Sequence, residues 1–243
     1  MPSWSADASD PIASGPIASG PIATGPVVSD AIASWDRAAQ HYDRASAWLE
    51  GRFLREGRRW VCERAQGRVL DVGIGTGANL AFLGHATTFV GVDPSSAMLD
   101  VARTKASALG REVDLHQASA EALPFDDATF DTVLVTYVLC NVRDVATALR
   151  EAGRVVRPGG SLLLADHVVS TQPFLRWGQR RLESVTGPRR GEWFTRRPRA
   201  LVEDEPGWRV MDGTRAHHGI IETLSAERTN QRAAGPAAEA PAE

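Results

Sequence analysis

Arg68–Leu80 reads RVLDVGIGTGANL, and the fold turns on what this stretch becomes. An apolar run meets an acid, Asp71. Gly73, Gly75 and Gly77 then recur at alternate positions, and a helix-like segment follows. A glycine turn after a buried strand lets backbone amides approach a ligand closely, and in doubly wound sheets ligands sit beyond such strand ends. Three ligands compete for the turn. A P-loop needs Lys followed by Ser/Thr at the helix start, and here that start is Gly-Ala-Asn. A dinucleotide fits better, since Gly73, Gly75 and Ala78 satisfy G-x-G-x-x-G/A and Asp93 ends the next strand at ribose distance. Asp71 weighs against it, because a carboxylate aimed into the turn repels a pyrophosphate and suits a cationic ammonium. A ligand with ribose, adenine and an amino-acid head but no phosphate is S-adenosylmethionine (SAM).

Outward from this stretch, strand and helix patterns alternate. Residues 34–48 and 49–65 read as amphipathic helices. Strands are expected at RVLDVG, TTFVGVD, EVDLHQAS, FDTVLVTYVL, SLLLADHVV, WRVMDG and HHGIIETL, with a turn at Thr214–Ala216 setting the last pair antiparallel. Helices are expected at GANLAFLG, SSAMLDVARTKASALG and DVATALREAGRVV, while 171–205 looks less regular. Strands too apolar to show period-two faces belong to a sheet covered on both sides. The expected fold class is therefore α/β: a doubly wound, Rossmann-like, seven-stranded sheet, mostly parallel with an antiparallel C-terminal strand, helices on both faces. The expected division is a domain over 30–226, comprising N-terminal lid helices (30–66) and a substrate-side insertion (171–205). A disordered lead-in over 1–29 carries PIASG PIASG PIATG, where recurrent Pro and Gly deny both helix and ladder. A small-residue tail covers 227–243.

The order DVGIGTG, GVDPSSAML, ASAEALPF, FDTVLVTYVL and RVVRPGGSLLLADHV, spread over about residues 35–170, resembles class I SAM-dependent methyltransferases. It looks most similar to the small-molecule group with the ubiquinone/menaquinone enzymes. YVLCNVRD resembles a branch holding phosphatidylethanolamine N-methyltransferases and methyltransferase-like thiol methyltransferases. The resemblance implies SAM as cofactor, S-adenosylhomocysteine as product, and a role for each matching position. Asp71 would face the methionine amino group, with Gly73, Gly75 and Gly77 wrapping the methionine part. Asp93 would take both ribose hydroxyls and Met98 would lie beside the adenine. Thr136 and Tyr137 would lie under the methionine moiety, and Tyr42 would be the aromatic of the lid. Ser119-Ala120 stands where the family often has Asp-Ala, so the Ser119 hydroxyl and the Ala120 amide would read the adenine edge.

Methyl transfer needs alignment and a dry cavity, and a base only where the acceptor must lose a proton. His167, past the fifth strand, and His41, beside Tyr42, are the candidates. His217 and His218, adjacent in a strand, point to opposite faces and make no shared metal site; no metal is expected. Two cysteines, Cys62 and Cys140, read as buried reduced thiols. A net charge of −3, no long apolar run and no signal sequence point to a cytoplasmic chain with no general pull toward nucleic acid. Arg176–Arg199 is the exception, with eight arginines against two glutamates and interleaved Trp177, Trp193 and Phe194. That segment suits an anionic acceptor or peripheral contact with a membrane; nothing in it resembles an RNA-binding module. The function expected is methyl transfer to a small-molecule or lipid-like acceptor. The alternatives are a SAM-binding protein without turnover and a NAD(P)-dependent oxidoreductase on a similar scaffold.

Overall fold

The strands are β1 (Arg68–Val72), β2 (Thr88–Asp93), β3 (Asp114–Gln117), β4 (Phe130–Thr136), β5 (Val156–His167), β6 (Trp208–Ala216) and β7 (Ile221–Arg228). In the computed structural model, which describes residues 26–84, 88–170, 172–190, 196–217 and 219–230, they form one sheet in the order β3-β2-β1-β4-β5-β7-β6. All neighbours are parallel except at β7, which runs antiparallel to both β5 and β6. The pentapeptide repeat, Trp193, Phe194, His218 and the tail from 231 lie outside the described residues.

Alternate residues of one strand enter opposite layers of core. Leu70, Val133, Leu162 and Leu164 pack on one face, and Val69, Leu134 and Leu163 on the other. Burial on both faces explains why the strands read as unbroken apolar runs. The helices that cover them are α1 (Pro26–Leu49), α2 (Arg55–Arg64), α3 (Ser96–Ala108), α4 (Val145–Val155), α5 (Pro173–Arg190) and α6 (Pro198–Asp204). Side chains fix two helix starts: Ser95 accepts from Met98 N at 3.1 Å, and Asp144 from Thr147 N at 3.0 Å. Among the described residues no helix is long and apolar enough to cross a membrane.

The structure departs from the sequence reading at five places. Helix α1 begins at Pro26, inside the expected lead-in, and a π-helical turn, Glu50–Leu54, joins it to α2. The expected helix after the glycine turn is only a 3₁₀ turn, Ala78–Ala81. β4 was expected to run through Leu139 and stops at Thr136, because Tyr137 takes a left-handed conformation, φ +58°. The chain turns after Ala216 rather than at 214–216, so His217, at φ +52°, lies past the end of β6 and not in a strand. The region expected to be irregular, 171–205, is mostly helical through α5 and α6.

Leu134, at the centre of β4, is fully buried, whereas Leu109, at the end of α3, is 42% exposed. Leu134→Ala should lower stability by about 2–5 kcal/mol. Leu109→Ala should stay within about 0.5 kcal/mol. Urea denaturation of the two variants checks this.

Candidate active site

The chain lays down β1, β2 and β3 outward in one direction and returns to place β4 on the other side of β1, so the sheet order reverses between β1 and β4. A crevice opens at such a reversal, and here it is a cavity of about 1300 Å³, its open mouth included. Of the residues singled out from sequence, Tyr42, Gly73, Gly75, Asp93, Met98, Ser119, Ala120, Thr136 and Tyr137 line it together. Asp71, Gly77, His41 and His167 are not in its wall.

The floor is the glycine turn. Gly73, Gly75 and Gly77 all hold positive φ, at +70°, +55° and +78°. Gly73 is also a point of close approach, since a Cβ there would meet Val138 Cγ2 at 2.5 Å. Beneath the floor lies Asp71, fully buried at the end of β1. Its Oδ2 accepts from Asn79 Nδ2 at 2.8 Å, and its Oδ1 has no donor among the described residues. Burial pushes its carboxyl up to about 7, against the pull of the Asn79 hydrogen bond and the Arg58 charge. The same Asn79 amide also donates to Thr136 Oγ1 at 2.8 Å, which joins β1 to the end of β4.

Arg58 is the residue that sequence reading missed. It lines the cavity with its side chain only 10% exposed. It donates to Glu50 Oε1 at 2.8 Å, Asn79 Oδ1 at 3.2 Å and Thr136 Oγ1 at 3.3 Å, and its guanidinium lies 5.0 Å from the Tyr137 ring centre. A signal existed: in α2 the inward stripe is Gly57, Arg58, Val61 and Cys62, so an arginine occupies a core position of an amphipathic helix. Gly57 is small because Tyr137 Oη would lie 2.4 Å from a Cβ there. Tyr137 in turn donates to Leu54 O at 2.8 Å, so its left-handed backbone is held from two sides.

At the β2 end, Asp93 accepts from Gly75 N through Oδ2 and from Ser95 N through Oδ1, both at 2.9 Å. Burial raises it to about 6 in spite of those two amides. Ser119 Oγ is engaged locally, accepting from Glu121 N at 3.2 Å. Across the mouth lies α1, whose Ile32, Trp35 and Tyr42 face the cavity. Asp36 and Asp43, one heptad apart, pin it down. Asp36 accepts from Ser95 Oγ at 2.5 Å; Asp43 accepts from Thr76 Oγ1 at 2.6 Å and pairs with Lys105 at 2.6 Å.

The wall after β4, Val138–Arg143, is irregular and is held by charge. Leu139 N donates to Asp166 Oδ2 at 2.8 Å, while Leu139 O accepts from Arg196, which also reaches Val142 O at 2.5 Å. One residue is thus gripped by a carboxylate through its N–H and by a guanidinium through its carbonyl. Ligand atoms of Cys140, Asp166 and His167 converge within 4.8 Å. The Asp166 oxygens are already taken by backbone N–H groups of Leu139 and His167, at 2.8 and 2.7 Å. Burial raises Asp166 to about 6 and, with the Arg58 charge as a second cause, lowers His167 to about 4. The His167 ring lies 5.1 Å from that of Tyr137. His41 is exposed on α1, with Nδ1 3.2 Å from Arg44.

Residues 70–164 match the methyltransferase domain family. The chain is 40% identical over 114 residues to the uncharacterized methyltransferase YcgJ of Bacillus subtilis, covering 46% of this chain and 45% of that one. The crystal structure of YcgJ superposes with a TM-score of 0.59 at 21% identity, covering 73% of this chain and 100% of that chain. Identity is 39% over 103 residues to the phosphatidylethanolamine N-methyltransferase of Cereibacter sphaeroides, covering 42% of this chain and 51% of that one. It is 40% over 136 residues to the demethylmenaquinone methyltransferase of Thermus thermophilus, covering 53% and 61%. The chain therefore spans about half the length of the curated relatives it matches. The likeness to the methyltransferase domain lies over residues 70–164, which run from β1 into β5 and include the glycine floor of the crevice at the reversal of the doubly wound sheet.

Proposed function

We propose that this chain transfers a methyl group from SAM to a small-molecule or lipid-like acceptor. One observation carries the reading: a fully buried carboxylate, Asp71, with one oxygen lacking a donor, lies under the glycine turn beside the Arg58 guanidinium. An amino-acid head brings one positive and one negative group, and this end of the cleft offers the complement of both. Bound there, SAM would supply a methyl group on a positively charged sulfur for transfer to an acceptor lone pair, with S-adenosylhomocysteine as the leaving group. Arg58 holds the carboxylate of the head, as guanidinium forks do. Asp71 supplies the negative field that its ammonium needs. Gly73, Gly75 and Gly77 let the backbone close on the methionine part, over Thr136 and Tyr137. Asp93 takes the ribose hydroxyls on lone pairs not used by Gly75 and Ser95. Met98, Ser119 and Ala120 surround the adenine, and Tyr42 with Trp35 covers the whole from α1, which excludes water. His167 lies outside the wall of the cleft and stays neutral beside the Tyr137 ring, so we assign it no contact with the acceptor. His41 has no part, because it is exposed on α1 and outside the wall of the cleft. A metal has no part either.

Relatives named for phosphatidylethanolamine and for demethylmenaquinone favour a lipid-like acceptor. The Arg-rich stretch 176–199 suits peripheral contact with the membrane that holds such an acceptor. The setting is cytoplasmic in this reading.

Binding of S-adenosylhomocysteine tests the cofactor assignment. At 100 times its dissociation constant it should stabilise the chain by about 2.7 kcal/mol in thermal melts, while NADPH at the same concentration should leave the melt unchanged. Arg58→Ala should weaken S-adenosylhomocysteine about 10- to 100-fold and adenosine little. Asp93→Ala should weaken both in titration calorimetry, and equal losses for Arg58→Ala would contradict the carboxylate contact.

The pH dependence follows from Asp71. Its folded-state pKa is raised, so the ligand-free fold takes up a proton there below about 7. That contribution to stability is complete below the ordinary carboxyl pKa and is lost as pH rises through about 7. Ligand binding requires the ionised form, so affinity should fall by up to about tenfold per pH unit below 7. Asp71→Asn should remove this dependence, weaken binding, and leave the ligand-free chain at least as stable at pH 8. Calorimetry and melts between pH 5.5 and 8.5 measure all three.

A further inference from the structure

Helix α5 leaves β5 beside the cleft and carries a face that nothing in the described structure covers. Its inner side is anchored: Gln179 donates to Val168 O at 2.9 Å and accepts from Ser170 N at 2.7 Å. Its outer side presents Phe174, Trp177, Arg180, Arg181 and Ser184, a helical stripe by spacing. Phe174 is 79% and Trp177 59% exposed. The two rings stack at 6.4 Å and 24°, and the Arg181 guanidinium lies 5.5 Å from the Trp177 ring centre. Two large aromatic rings held in water on an arginine-rich helix need a partner that takes both apolar area and positive charge.

Three partners can be weighed. A second copy of this chain would bring like arginine faces together. Nucleic-acid bases stack on rings spaced to follow a strand, yet here Phe174 and Trp177 sit side by side at 6.4 Å and Arg181 lies over Trp177. A bilayer surface takes stacked rings at headgroup depth while arginine stems lie along them and the guanidinium groups reach phosphate oxygens. Charge complementarity selects the anionic kind, because Arg180 and Arg181 both lie exposed on this face and Arg176–Ser184 holds three arginines against one glutamate.

We infer that the Phe174–Trp177–Arg180–Arg181 face of α5 docks the protein on an anionic phospholipid surface. The purpose assigned to this contact rests on the lipid-like acceptor; the contact itself does not.

The test uses the full chain, pelleted with vesicles of phosphatidylcholine alone or of equal parts phosphatidylcholine and phosphatidylglycerol. Binding is expected to the mixed vesicles, weakened by added salt, and absent from phosphatidylcholine alone. Phe174→Ala with Trp177→Ala, and separately Arg180→Glu with Arg181→Glu, should each cut partitioning by about tenfold or more. Trp177→Phe should retain it, and calorimetry should give all these variants the wild-type affinity for S-adenosylhomocysteine. No binding to the mixed vesicles, or binding unchanged by either pair, overturns the inference. So does retention of polyuridylate that both pairs abolish while vesicles are ignored, which would make the face a nucleic-acid site. Failure of wild-type protein to bind S-adenosylhomocysteine would remove the methyltransferase reading and leave the vesicle result standing.

Discussion

A carboxylate with no access to water sits at the end of the central strand, and the rest of the cleft is arranged around it. Burying Asp71 costs several kcal/mol unless its charge is met or lost. The chain meets it only in part. Asn79 bonds one oxygen, Arg58 bonds Asn79 and Thr136 rather than Asp71 itself, and the other oxygen has no donor among the described residues. The carboxyl is therefore poised near neutrality, at about 7. A structure built for stability alone would have placed an apolar residue there, as at Val69 and Leu70 on the same strand. A partly satisfied polar group in the core calls for a reason beyond stability.

The same network ties distant parts of the chain together. Through Asn79 and Thr136 it joins β1 to β4, through Arg58 it joins both to α2, and through Glu50 it reaches the π-helical turn below α1. Gly57 and Tyr137 belong to this joint as well, since the phenol fits only where α2 lacks a side chain. Because the groups share partners, their substitutions will not be additive.

What the sequence disclosed, and what it did not, follows from the range of each interaction. Gly73, Gly75 and Gly77 announce the turn because only backbone freedom is at stake, and the apolar strands announce their burial by composition. Ser95 and Asp144 announce helix starts because a cap is settled within three residues. The end of β4 was not legible: Tyr137 has strand propensity, and its left-handed backbone is imposed by Leu54 and Arg58, remote in sequence. The β6–β7 turn was misplaced because β6 gains three residues of pairing against Ile221, Glu222 and Thr223 that no local pattern encodes. Arg58 was overlooked because an arginine reads as surface unless its helix is phased first. Asp71 was expected in the wall and lies beneath it; spacing along the chain gives the strand end but not the depth.

The wall made by Val138–Arg143 shows how the two halves of the molecule divide their tasks. The half up to β4 supplies the glycine-floored cleft, with Asp93 held by the amides of Gly75 and Ser95. Past β5 the chain contributes helices, and one of their flanking residues, Arg196, closes on Leu139 and Val142 from outside while Asp166 holds Leu139 from within. Loop carbonyls buried without a donor are costly, so this guanidinium is what allows the wall to be irregular. The region past β5 thereby also sets the shape of the cleft, so a change at Arg196 cannot leave the wall after β4 untouched.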